Sequence, residues 1–151
     1  MDTLDQRRLA YHGAIVFVLS LTAGTVFMIS LVYHWDAEPV RAWGAAHRAS
    51  IVLAVWLLAM ASLLPKLILT QRASRIVAQT LIWGVYMITI ACYISAIAGV
   101  RGLAFAGPAI NVVVWSVNGI GGILTFVGAT LILIGAHNAM SEAPPSSGMS
   151  R

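Results

Sequence analysis

A single cysteine, Cys92, stands in a chain of 151 residues. It lies inside an apolar run, which excludes an intrachain disulfide, a paired-cysteine zinc site and the Cys-x-x-Cys-His motif of covalent haem attachment. Charge is equally scarce: 9% of the residues are Asp, Glu, Lys or Arg, against roughly 25% in an ordinary soluble domain. The long apolar runs hold no Asp or Glu, which argues against a proton-coupled transporter, where intramembrane carboxylates serve as relays. The motifs Gly-x-x-x-x-Gly-Lys, His-Glu-x-x-His and Gly-x-Ser-x-Gly are absent as well. The net charge is +4, but no basic run exceeds Arg7-Arg8, so it is no nucleic-acid footprint.

What the chain does have is apolar length. Hydrophobic residues make up 60% of it, gathered into four runs at about 13–33, 49–69, 76–100 and 109–135. Each reaches or approaches the ~20 residues a helical crossing needs. The first run exceeds the ~7–15 residues of a signal-peptide core and no small-residue cleavage site follows it, so it is read as a retained span. The second includes Lys66, whose stem can snorkel to the headgroups. Gly107 and Pro108 introduce the fourth, a favourable helix start. Period-2 alternation is missing, so helices are the backbone solution that satisfies every amide in lipid. The predicted fold is all-α, a four-transmembrane-helix bundle over residues 1–136, with residues 137–151 as a disordered cytoplasmic tail rich in small polar residues and proline.

Four crossings put both termini on one side with the loop between spans two and three. That side holds Arg7, Arg8, Lys66, Arg72, Arg75 and Arg151, against Arg41, Arg48 and Arg101 on the other. The positive-inside rule then places both termini in the cytoplasm and the protein in the inner membrane, embedded in the lipid bilayer. Gly121, Thr125 and Gly128 share one face of span four and would admit another helix closely, within the chain or from a neighbouring subunit.

The four histidines carry the first chemical interest. His12 and His137 fall at the cytoplasmic ends, while His34 and His47 fall at the outer ends, so His12 and His47 are separated by about a bilayer, roughly 30 Å. The outer connections also bring Trp35, Asp36, Glu38, Arg41, Trp43, Arg48 and Arg101. That set offers an imidazole for a haem iron, guanidinium groups for propionates and flat apolar surface for the macrocycle. An interfacial belt of Trp, His and Arg anchoring helix ends would use the same residue types. In the spans, Gln79, Trp83, Tyr86 and Tyr93 recur on one face of span three, and Asn111, Trp115, Asn118 and Thr125 on one face of span four. Such faces suit a substrate pocket or helix-to-helix hydrogen bonding.

The stretch from Arg8 to Val32 (RLAYHGAIVFVLSLTAGTVFMISLV), Trp43-Gly44-Ala45-Ala46-His47, Leu64-Pro65 and Arg101-Gly102-Leu103-Ala104-Phe105 resemble, in order and spacing, the styrene oxide isomerases. The resemblance runs from about Arg8 to the end of span four. It implies a small four-span membrane enzyme that assembles as a homotrimer and binds haem b noncovalently, with His47 as axial iron ligand. Trp43, Arg41, Arg48 and Arg101 would complete the cofactor site. The implied chemistry is Lewis-acid opening of an epoxide by ferric haem, hydride migration and a carbonyl product, which needs no net redox change. Tyr93, Tyr86, Asn118 and Asn111 are the pocket candidates for a small apolar substrate. One departure stands out: ungapped alignment puts Gly84, Ile88 and Cys92 where the family's third helix has Asp, Asn and Tyr, and Tyr93 falls one residue off. A b-type cytochrome using His34 as second ligand beside His47, with His12 and His137 as a possible inner pair, is the alternative from another class. A haem-binding or haem-free accessory membrane subunit is a third.

Overall fold

In the computed structural model, which describes residues 3–102 and 104–141, four α-helices follow one another: α1 (Thr3–Val32), α2 (Ala37–Leu63), α3 (Gln71–Ala98) and α4 (Ala109–Ser141). A 3-10 turn, Leu64–Lys66, closes α2. All four helices are long and apolar enough to cross a membrane, and no strand occurs among the described residues. The architecture is the predicted all-α four-helix transmembrane bundle. The end formed by the α1–α2 and α3–α4 connections is called the outer end below.

The first three helices start well before the apolar runs, at Thr3, Ala37 and Gln71, whereas α2 ends at Leu63 and α3 at Ala98, short of the expected 69 and 100. A 30-residue α1 spans about 45 Å at 1.5 Å per residue, against a hydrocarbon core of about 30 Å. Charged turns can therefore continue the helix into the headgroup layer. This matters most in α2, which begins twelve residues before the apolar run at Ala49. Glu38, Arg41, Trp43, His47 and Arg48, expected in a connecting loop, thus sit on the first three turns of a helix. Counting uncharged residues finds the hydrocarbon crossing, but backbone hydrogen bonding ignores that boundary. The fourth helix starts at Ala109 as expected and continues through Ser141, so His137 is helical rather than part of a disordered tail. The remaining expected tail, residues 142–151, lies outside the described residues.

Local chemistry sets the ends. Thr70 accepts a hydrogen bond from the Ala73 amide at 3.2 Å and caps α3. Gly99, at φ 64°, ends it in the left-handed conformation that a residue without Cβ adopts freely. At the end of α1 the left-handed residue is His34, φ 51°. The Trp35 amide reaches back to the Ser30 carbonyl at 3.0 Å and the His34 amide to Leu31 at 3.3 Å, closing a Schellman turn.

Packing is pairwise, α1 with α2 and α3 with α4, joined through α2 and α3. In the first pair a Cβ on Gly13 would meet Leu58 Cγ at 3.0 Å, one on Gly24 would meet His47 at 2.9 Å, and one on Gly44 would meet Phe27 at 3.0 Å. Each glycine is a socket for a large opposing side chain. In the second pair the backbones themselves touch: a Cβ on Gly84 would lie 2.8 Å from the Gly121 carbonyl oxygen, and one on Gly121 would lie 2.9 Å from that of Gly84. The buried residues of α4 are Val114, Gly121, Gly128 and Gly135, spaced by seven. The small-residue stripe is therefore an intramolecular seam, as close helix approach in lipid requires.

Gly121 and Gly122 make a direct comparison, because a Cβ on Gly122 meets nothing within 4 Å. Gly121→Ala should lower the unfolding temperature in detergent, costing about 1–3 kcal/mol for overpacking against backbone. Gly122→Ala should be neutral or stabilising, since alanine is the better helix former. Equal effects of the two substitutions would contradict the seam.

Candidate functional site

His47 lies on α2, half-buried, with its ring seated on Gly24 of α1. Its Nδ1 is 2.9 Å from the carbonyl oxygen of Ser20. A carbonyl only accepts, so Nδ1 must donate. In the neutral ring the lone pair is then left on Nε2, which makes no hydrogen bond among the described residues. Fixing one ring nitrogen by a backbone carbonyl and leaving the other free is how proteins set up an imidazole as a metal ligand.

Trp43 lies one turn earlier on α2, and its ring meets that of Tyr93 edge to face at 5.7 Å. The Tyr93 hydroxyl donates to the Leu19 carbonyl, next to the Ser20 carbonyl that holds His47. Two consecutive carbonyls of α1 thus anchor one side chain from α2 and one from α3. Trp43, His47 and Tyr93 are brought together here.

Next to this group, a cavity of about 370 Å³ opens between α2, α3 and α4, lined by Ala42, Ala46 and Cys92, which adjoin Trp43, His47 and Tyr93 in the chain. Its walls are mostly small and apolar, with Ala42, Ala45, Ala46 and Ala91 among them, and its polar lining includes Ser95, Asn118 and the Cys92 thiol. At its rim a single carboxylate oxygen, Glu38 Oε1, accepts from Arg41 at 2.9 Å and from Arg101 at 3.0 Å. All three side chains are more than half exposed. His47 is not among the lining residues; its ring turns to α1 while Ala45 and Ala46 face the cavity.

Arg101 owes its place to Asn111, which fastens the α3–α4 connection. The Asn111 carbonyl oxygen accepts from the Gly102 amide at 2.7 Å, and its NH₂ donates to Ala104 and Ala106 carbonyls at 2.9 and 2.7 Å. Asn111 is therefore a loop staple, with its hydrogen-bonding capacity used by backbone, rather than a pocket residue. Gly102, at φ 60°, leaves no room for a Cβ, which would lie 2.2 Å from Val114 Cγ1. Nothing in the sequence analysis pointed to this role.

The other expected residues separate. Asn118 lines the cavity. Tyr86 sits two turns from Tyr93 toward the opposite end, its hydroxyl 3.0 Å from His12 Nδ1. Gln79 and Trp83 are exposed, turned away from the bundle. Arg48 is exposed with no ion pair among the described residues. His34 is exposed in its turn, ten residues beyond Gly24 along α1, or roughly 15 Å of helix from the His47 level. The two histidines do not converge. His137 is exposed on α4, which packs on α3 and has at most marginal contact with α1, so it does not pair with His12 either. Of the family-pocket positions, Cys92 reaches the cavity, whereas Gly84 is pressed against α4.

A family model described as styrene oxide isomerase matches residues 5–137. That is most of the chain and all four helices, and the chain belongs to the styrene oxide isomerase family. Compared with curated proteins, the chain gives no match.

Asn111→Ala removes all three bonds of the staple. Hydrogen exchange of a peptide spanning residues 100–108 should accelerate, most at the Gly102 amide, while exchange in α1 and α2 stays unchanged. Unaltered protection at Gly102 would show that the connection does not depend on this side chain.

Proposed function

We propose that this protein is a haem b-dependent membrane isomerase that opens an epoxide on a small apolar substrate and yields a carbonyl compound. The observation that carries the reading is the orientation of His47, with Nδ1 committed to the Ser20 carbonyl and Nε2 free. Membership in the family supports reading that free nitrogen as the one that would hold a haem iron. The donor set fits: a neutral imidazole held by a backbone carbonyl is the usual histidine ligand, so His47 would hold the group.

Bound there, ferric haem would supply a Lewis acid that polarises the epoxide C–O bond without net redox change. The protein's residues do the rest. His47 holds the group, and the Ser20 carbonyl keeps the ring in its ligating tautomer. Arg41 and Arg101 are the donors for propionates, which would compete with Glu38 for the same guanidinium groups. The alanine-walled cavity suits a small apolar molecule, and Asn118 offers it an amide able to donate or accept. Tyr93, whose hydroxyl is taken by Leu19, acts in this reading by buttressing Trp43. Beyond Glu38 at its rim, the cavity lining holds no carboxylate, which limits hydration of a polarised epoxide there.

The same placement weighs against the b-type cytochrome, because His34 closes a turn roughly 15 Å of helix away from the level of His47. A homotrimer in the inner membrane, with both termini in the cytoplasm, completes the proposal; its supports are the family membership and the excess of Lys and Arg at the inner end.

The test is a spectrum and a product assay on detergent-purified protein. Wild type should show a Soret band that His47→Ala abolishes and His34→Ala leaves intact, and only haem-retaining proteins should convert members of an aryl and alkyl epoxide panel to carbonyl compounds. Gly24→Ala, which drives a Cβ to 2.9 Å from the His47 ring, should weaken haem retention without removing the ligand. Haem-free wild type, or a haem lost with His34→Ala, would refute the assignment.

A further inference from the structure

The interior enclosed by α1, α2 and α3 is not continuously apolar. Toward the inner end lies one cluster of buried residues that includes Val16, Ala54 and Val85. Toward the outer end lies another, made of Ala23, Ala46 and Ala96. Between them, on the same three helices, come Ser20, Ser50 and Thr89. Their exposures are 0%, 0% and 1%. The helix register agrees: Gly24 opposes His47 across the α1–α2 pair, which sets Ser20 against Ser50, and Ala46 and Ala91 share a wall, which sets Thr89 near Ser50. The three hydroxyls form a polar layer about one turn from His47.

None of the three hydroxyls has a hydrogen-bond partner. Six other hydroxyls in the helices differ. Thr22, Thr25, Ser62, Thr80, Thr125 and Thr130 all donate to the carbonyl four residues earlier in their own helix. That is the common resort of a hydroxyl in a membrane helix. The layer residues do not take it, although the apolar surroundings make an unpaired hydroxyl costly. Three such groups, buried at about one level of three packed helices, are as many as the two to four polar partners that a buried water takes.

We propose that Ser20, Ser50 and Thr89 form a buried hydration site, holding at least one water molecule bridged between α1, α2 and α3 beneath His47. The site is independent of haem and of substrate, so it stands or falls apart from the proposed isomerase activity. Ser20 belongs to both arrangements: its carbonyl takes the His47 proton and its hydroxyl enters the layer.

The test uses full-length protein in lipid nanodiscs with methyl-labelled threonine. A water-to-methyl nuclear Overhauser effect is expected at Thr89 and not at Thr125, whose hydroxyl is bonded to its own helix. It should vanish in Ser20→Ala/Ser50→Ala, which removes two of the three partners. No effect at Thr89, or one that persists in the double variant, overturns the proposal. Stability gives a second reading. Each of Ser20→Ala, Ser50→Ala and Thr89→Val should lower the unfolding temperature, and the triple variant should lower it by less than the sum of the three, because the bridged group is then removed whole. Single substitutions that raise the unfolding temperature additively would mean isolated hydroxyls and no bound water.

Discussion

Helices immersed in lipid gain nothing from hiding one apolar face against another, because the acyl chains are as apolar as the side chains. Their association rests on close packing and on hydrogen bonds between them. Here that constraint is met by glycine. Gly13, Gly24 and Gly44 receive side chains across the α1–α2 pair, and Gly84 and Gly121 bring α3 and α4 into backbone contact. The His47 geometry follows from it. Only with Gly24 opposite can the imidazole lie flat enough against α1 to reach the Ser20 carbonyl, so the packing that joins the first two helices also selects the tautomer of His47.

A second consequence concerns the break in the family pattern on α3. Position 84, where the resemblance leads one to expect a carboxylate, faces the Gly121 carbonyl with no space for any Cβ. Glycine there and glycine at 121 are two halves of one seam, and a larger residue at 84 would force α4 outward. Polar groups reach the cavity by another route, Ser95 and Cys92 from α3 and Asn118 from α4. The cavity keeps its place at the outer end while the amide available to a bound molecule comes from the fourth helix.

Much of this was legible in the residues. Four uncharged runs gave four helices because only a helix satisfies the backbone in lipid, and the stripe of Gly121, Thr125 and Gly128 signalled a close seam because side-chain size is visible in a sequence. The polar side chains were harder, since their roles depend on what lies across the bundle. Tyr86 and Tyr93, seven residues apart on one face, hold different partners, His12 and the Leu19 carbonyl. Asn111 and Asn118 share the same spacing, yet one fastens a loop and the other lines the cavity. His34 and His47 looked equivalent as outer-end histidines, and only the Schellman turn at Trp35 shows that the first is a helix cap. The polar layer of Ser20, Ser50 and Thr89 was invisible, because serine and threonine in membrane helices are ordinary until their partners are counted.

The central claim is that a single histidine, held by Ser20, presents Nε2 to an iron. Pulsed electron paramagnetic resonance of the ferric haem-loaded protein, prepared with ¹⁵N-labelled histidine, addresses it directly. The account predicts strong hyperfine coupling to one imidazole nitrogen, unchanged when His34 is replaced. Coupling to two histidines, or to none, would contradict it.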